Sequence, residues 1–318
     1  INPYAWAFMR IGSGFCVAVC YTIIESWLQS KVTNETRGRT MGSYRVVDMG
    51  ASLMSLLIIG VLEPASYVSY NLLALLCCAT LIPLTLTKVA QPETPKAPRL
   101  RPMLAISRSP LAAVGVVVAA LSGASFRMTG PIFGQQVGLE ITTIAYFLAS
   151  FVLGGAIAQY PIGFIADKID RRWVLIWLSF AAIISCMVTA NINTNNTYIL
   201  MLTAGIFGFT TFPIFSVAAA HAHDFAQDYE RVELSAALMF FYAVGAIAAP
   251  YTASILMQSF GPSALFYLIA FGHVGLVVFG FYRMLSRPPV EEKTDYIYSP
   301  RTSFLIGRLL KFHHKNNK

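Results

Sequence analysis

The stretch Gly163-Phe-Ile-Ala-Asp167-Lys168-Ile-Asp170-Arg171-Arg172 carries five charges in ten residues and lies between two apolar runs, each long enough to cross a bilayer. A connection this short has no core of its own. Its charges must meet helix ends or face water, which makes it a hinge or latch between two membrane helices.

The rest of the chain supports that setting. Of 318 residues, 56% are hydrophobic and only 12% charged, against about 45–50% and about 25% in a soluble domain. The apolar residues come in repeated runs of about 20, the length of a helix crossing about 30 Å of hydrocarbon. A barrel is excluded, because its strands alternate and are about half that length. Only helices then satisfy the backbone in lipid, and the fold class is an all-α polytopic membrane protein. The chain opens on Ile1 and enters an apolar run almost at once, without a basic leader. We read this start as a truncation, with the functional protein beginning upstream.

Nine spans are predicted, near 4–27, 43–62, 67–87, 111–130, 141–165, 173–191, 198–220, 234–257 and 263–284. All but two of the 23 lysines and arginines fall in alternate connections and the C-terminal tail. The exceptions are Arg10 and Arg127. By the positive-inside rule the basic side is cytoplasmic, with the C-terminus inside. The net charge of +8 is therefore a topology signal, and no nucleic-acid partner is expected. The cysteines Cys16, Cys20, Cys77, Cys78 and Cys186 all sit in apolar runs without metal-type spacing, and they read as small packing residues. Neither a metal nor a cofactor is expected.

The connection 88–110 holds five prolines and five basic residues and reads as an extended linker. Residues 1–87 then form half of an N-terminal bundle, 88–110 a cytoplasmic linker, 111–284 a six-helix C-terminal bundle and 285–318 a cytoplasmic tail. A weak internal repeat fits this division. Arg10-Ile-Gly-Ser-Gly14-Phe15 matches Ala204-Gly-Ile-Phe-Gly208-Phe209 at the same offset that places Arg37 over Arg231. The first three spans then correspond to the last three, and nine of an expected twelve helices are present.

Six-plus-six spans, a basic central loop and the Gly163-x-x-x-Asp167-Lys168-x-Asp170-Arg171-Arg172 hinge resemble the major facilitator superfamily of secondary transporters. That family has a Gly-x-x-x-Asp-(Arg/Lys)-x-Gly-Arg-(Arg/Lys) signature after its second span and a weaker copy after its eighth. The present hinge is similar to the second copy, with Asp170 in place of the usual glycine. Arg10 and Gly14 match the Arg-x-x-x-Gly pattern of the fourth span. Ile24-Glu25-Ser26-Trp27-Leu28, Arg37-Gly38-Arg39, Gln159-Tyr160-Pro161-Ile162-Gly163 and Ser299-Pro300-Arg301-Thr302-Ser303 resemble a bacterial inner-membrane branch of the superfamily. The resemblance implies transport of a small-molecule solute through the lipid bilayer by alternating access, proton coupling, and a monomer when full length. The fragment alone would not transport.

Within that frame the hinge is expected to act as a gate, with the bland alternative that its basic residues only fix topology. Glu230, Arg231 and Glu233, which open the predicted span 234–257, are expected gate partners, their carboxylates receiving Arg171 or Arg172. Arg10, Gly14, Tyr21 and Glu25 share one helix face and form a candidate solute or proton pathway, against a reading in which Arg10 and Glu25 merely snorkel. Arg127 is a candidate at the outer mouth on the same two terms. Thr211 and Phe215, with Ser122, Ser125 and Phe126, are candidates to line a central cavity. Asp48 and His273 admit either a functional or a structural role. His221-Ala-His223-Asp224 resembles a metal cluster, but positions two apart on a helix diverge. No catalytic Ser/His/Asp set or paired carboxylates appear, so an enzyme is not expected. A sensor or scaffold that keeps the fold is the alternative to a transporter.

Overall fold

The structure is a computed structural model describing residues 2–31, 34–59, 62, 66–86, 100–192 and 196–286. For residues 22, 25–31, 34–42, 45, 46, 59, 84 and 228 it describes the backbone alone. Among the described residues the chain is all helix. Three helices, α1 (Pro3–Lys31), α2 (Asn34–Ile59) and α3 (Tyr67–Leu86), precede a short α4 (Pro102–Arg108). Six more follow: α5 (Pro110–Gln136), α6 (Ile141–Lys168), α7 (Arg171–Asn191), α8 (Thr197–His223), α9 (Arg231–Phe260) and α10 (Ala264–Ser286). A single 3-10 turn, Asp228–Glu230, leads into α9. Helices α5 to α10 are each long and apolar enough to cross a membrane, and shorter apolar stretches lie at Val47–Ile58 and Tyr67–Pro83.

Local chemistry explains the boundaries. Ser109 caps α5, its hydroxyl accepting the Ala112 N–H, and Pro110 occupies the first position, where a missing N–H costs nothing. Asp170 caps α7 and Asn196 caps α8 in the same way. Gly261, at φ 87°, terminates α9 in a conformation that favours glycine. The helices overrun several predicted ends. α5 continues through Pro131 to Gln136, because one absent N–H removes a single ladder bond and leaves the packed face intact. Pro161, Pro213 and Pro250 are carried within α6, α8 and α9 in the same way.

The linker holds the main departure from expectation. Residues 102–108 are helical rather than extended, and Leu104 and Ala105 are buried. This short α4 packs against α9. The prolines deceive here, since Pro102 occupies the first helical turn, where proline favours a helix.

Lipid supplies no hydrophobic drive between helices, so close packing must hold them. In the C-terminal bundle α6 lies along α8, α5 along α9 and α7 along α10. The α6–α8 contact depends on glycine. A methyl group at Gly154 would overlap the Gly205 carbonyl oxygen, and one at Gly208 would overlap that of Phe151. Beside this crossing lies an aromatic layer. Phe126 sits 5.0 Å from Phe147, 4.3 Å from Phe151 and 5.2 Å from Phe207, and Phe133 meets Phe266 edge-on at 4.9 Å. A second apolar cluster, including Leu111, Leu175, Ile214 and Leu234, fills the end of the bundle that carries the hinge. Helix α2 rests on α6 and joins the first helices to this bundle.

Candidate functional site

Two short turns bring the charged ends of four helices together. Asp170 starts α7, and its carboxylate takes the Arg172 N–H at 2.9 Å and the Arg172 guanidinium at 3.0 and 2.6 Å. Partial burial would raise the Asp170 carboxyl, but the bonds from Arg172 outweigh it and hold the group below the ordinary carboxylate value. Where the resembled signature has glycine, this chain therefore carries a capping acid. It clamps one arginine locally.

Arg171 reaches further. It is 1% exposed, and its guanidinium donates to Asp224 at 2.6 Å, to the Ala220 carbonyl at 3.1 Å and to Asp167 at 3.1 Å. One side chain from the first position of α7 thus holds the end of α6 and the end of α8. The chemistry suits the position, because a cation is favoured where the last carbonyls of a helix lack partners. The Asp224 side chain is only 4% exposed, so this is a buried ion pair. Gly163 is buried on α6, and Lys168 is exposed with its ammonium 4.0 Å above the Phe164 ring.

The expected gate partners pair elsewhere. Glu230 accepts Arg108 at 2.7 Å, and Glu233 accepts Arg101 at 3.1 Å. Neither carboxylate receives Arg171 or Arg172. The reason is the helical part of the linker: α4 crosses the start of α9 and delivers its own arginines first. The Arg108 hydrogen bond holds Glu230 below its ordinary value against the opposing effect of burial, and raises Arg108 in turn. Arg231 is buried at the start of α9.

The pathway candidates lie apart from this cluster. Arg10 and Gly14 are exposed on α1, and the Tyr21 hydroxyl donates to Asp48 at 3.1 Å, tying α1 to α2. The Glu25 side chain lies outside the described residues. Arg127 is exposed on α5. Thr211 and Phe215, expected to line a cavity, are both 2% exposed within the bundle. Thr211 donates to the Phe207 carbonyl, and Phe215 rests edge-on against Tyr242. Ser122, Ser125 and Phe126 are fully buried. The cause is the α6–α8 crossing and the phenylalanine layer, which leave these side chains between helices. His273 is also sealed, 2.9 Å from the Ser122 hydroxyl. His221 and His223 diverge, the first edge-on to Phe225 and the second 3.1 Å from Ser235.

Sequence reasoning missed Asp224 as the acceptor of Arg171, and Arg101 and Arg108 as partners of the α9 acids. A signal for Asp224 exists. An acid just past the end of a helix opposes the macrodipole, so its presence at the close of α8 asks for a cation.

Comparison with known proteins agrees with this architecture. Residues 112–313 match the model of the Major Facilitator Superfamily. The chain is 26% identical over 301 residues to an uncharacterized MFS-type transporter of Enterobacter sp. (strain 638), covering 94% of this chain and 76% of that protein. It is 29% identical over 281 residues to the uncharacterized MFS-type transporter YcaD of Salmonella heidelberg (strain SL476), covering 85% and 70%. YcaD of Escherichia coli O7:K1 is 27% identical over 278 residues, with the same coverage of 85% and 70%. A helical membrane bundle with charged ends, matched over most of its C-terminal part by one family, leads to one assignment: the chain belongs to the major facilitator superfamily and is a multi-pass membrane transport protein, not an enzyme.

Proposed function

We propose that this protein is a secondary active transporter that moves a small organic solute across a bacterial inner membrane by alternating access, coupled to protons. In this reading two six-helix bundles rock about a midplane site, and the C-terminal end lies in the cytoplasm. The full-length protein acts as a monomer. The observation that carries the proposal is Arg171, which joins the ends of α6 and α8 to the start of α7 through one buried guanidinium. A buried pair of this kind is costly to break without replacement. It therefore suits a gate with two discrete positions better than a surface loop that only sets topology. Glu230 and Glu233 serve the gate indirectly by holding the linker to α9, and Arg231 lies beside them. Arg10, Gly14, Tyr21, Glu25 and Arg127 are the solute or proton pathway of this proposal. Thr211 and Phe215 join it in a conformation where α8 has moved.

The test uses the full-length protein. A solute is first found by ligand-dependent thermal stabilisation, and its flux is then followed in proteoliposomes under an imposed pH gradient. We expect flux that follows the gradient and is lost in Arg171→Gln while stabilisation by the solute persists. A solute that binds but shows no flux, with or without the gradient, would instead indicate a sensor or scaffold.

A further inference from the structure

At the hinge end of α8 a second buried contact stands beside Arg171. His223 is 2% exposed, and its Nε2 lies 3.1 Å from the Ser235 hydroxyl of α9. Ser235 gives its one proton to the Arg231 carbonyl at 3.0 Å, so toward His223 it can only accept, and Nε2 must carry the hydrogen. A neutral imidazole has a single N–H. Nδ1 is therefore a bare lone pair, buried and without a hydrogen bond among the described residues. A buried acceptor with no donor is costly and asks for a reason beyond the α8–α9 contact. An amide in this place would reach Ser235 without leaving a basic nitrogen.

The charges around the ring are one-sided. Arg171 of α7 and Arg231 of α9 are both buried, and their positive charges act on His223. At the end of α8 itself, Asp224 is committed to Arg171, and His221 turns its ring to Phe225. Asp167 of α6 also meets Arg171, and Glu230, before α9, meets Arg108 of α4. Helix α5 carries no ionisable side chain at this end. A proton on Nδ1 would add a third cation beside two guanidiniums, and its new N–H would have no partner among the described residues. The closed cluster has no place for that proton. Once the end of α8 parts from α7 and α9, Nδ1 meets water and behaves as an ordinary imidazole. Resting on the reading of Arg171 as a gate, we propose that His223 is the proton-binding site of that gate: a proton taken from water at Nδ1 holds the end of α8 away from Arg171 and Arg231, and its release lets the latch close. Because only the open state binds this proton, opening is favoured as pH falls through the ordinary imidazole value of about 6.5. Between about pH 8 and about pH 5.5 the closed-to-open ratio falls about tenfold.

The test uses the full-length protein in a cysteine-free background with spin labels at Ile169→Cys and Gln227→Cys, both exposed, in the two turns that Arg171 joins. Distances are read by pulsed electron resonance from about pH 8 to about pH 5.5. We expect a short-distance population at high pH whose ratio to a longer one falls about tenfold at low pH. His223→Gln, which keeps a donor for Ser235, stays short throughout, while His221→Gln and His273→Gln keep the pH response. Arg171→Gln tests the gate separately and should be open at every pH. A short distance in Arg171→Gln counts against the gate reading, and the proton site then stands or falls with His223→Gln alone. Should His223→Gln fail to fold, histidine nitrogen NMR of the His221→Gln, His273→Gln double variant decides. Its buried ring must carry a proton at Nε2 only at about pH 8 and become imidazolium over the pH range of the distance change. A distance that ignores pH, or one that responds equally in His223→Gln, overturns the proposal.

Discussion

Asp224 and Arg171 are 4% and 1% exposed at their side chains, so removing either leaves its partner charged in a dry site. Arg171→Gln is expected to lower stability by about 3–5 kcal/mol. Arg171→Gln combined with Asp224→Asn should recover part of the loss, and a thermal-unfolding double-mutant cycle in detergent measures the coupling. Glu230 gives a prediction of a different kind. Its folded-state pKa is depressed, chiefly by the Arg108 hydrogen bond. The stabilisation is therefore present above the ordinary carboxyl value of about 4.3 and is lost as pH falls through the depressed value. Unfolding midpoints followed from neutral pH to about pH 3 should show an acid limb that Glu230→Gln flattens. These residues show how far the sequence could be read. The hinge motif was legible as spacing, because Asp170 and Arg172 interact within two positions. The receiver of Arg171 was not, because it lies on a helix that the chain reaches only after another span.

At the scale of elements, the α6–α8 crossing separates two kinds of glycine. Gly208 leaves no room for a methyl group against the Phe151 carbonyl, whereas Gly275 on α10 has nothing within 4 Å of the site of one. Gly208→Val is expected to lower the unfolding midpoint, by the equivalent of about 3 kcal/mol or more, since backbone would have to shift. Gly275→Ala should leave it unchanged or raise it, through a gain of up to about 1 kcal/mol in helix propensity. Equal effects at the two positions would count against the crossing. The sequence does not distinguish these glycines, since both stand in apolar helices of the same period. Helix α4 carries the opposite lesson. Proline and charge density make the linker read as extended, but Leu104 and Ala105 find a buried surface on α9, and tertiary contact decides the local structure.

For the molecule as a whole, the charge distribution makes a topological prediction. In a cysteine-free background, Ser286→Cys at the end of α10 should react with an impermeant thiol reagent only from the cytoplasmic side. Ser259→Cys at the end of α9 should react only from the opposite side. Labelling of both from one side would contradict the positive-inside assignment. The sequence by itself determined the helical membrane fold, the division into helices and the position of the charged hinge. Each follows from properties read along the chain: apolar run length against bilayer thickness, basic residues in alternate loops, and charges a few positions apart. Only the tertiary structure decided which charges pair, that α4 rather than the hinge takes Glu230 and Glu233, and that Thr211 and Phe215 are closed between helices. Those outcomes depend on which helix faces meet. In lipid, that choice rests on close packing between small and aromatic side chains from distant parts of the chain, and no local pattern records it.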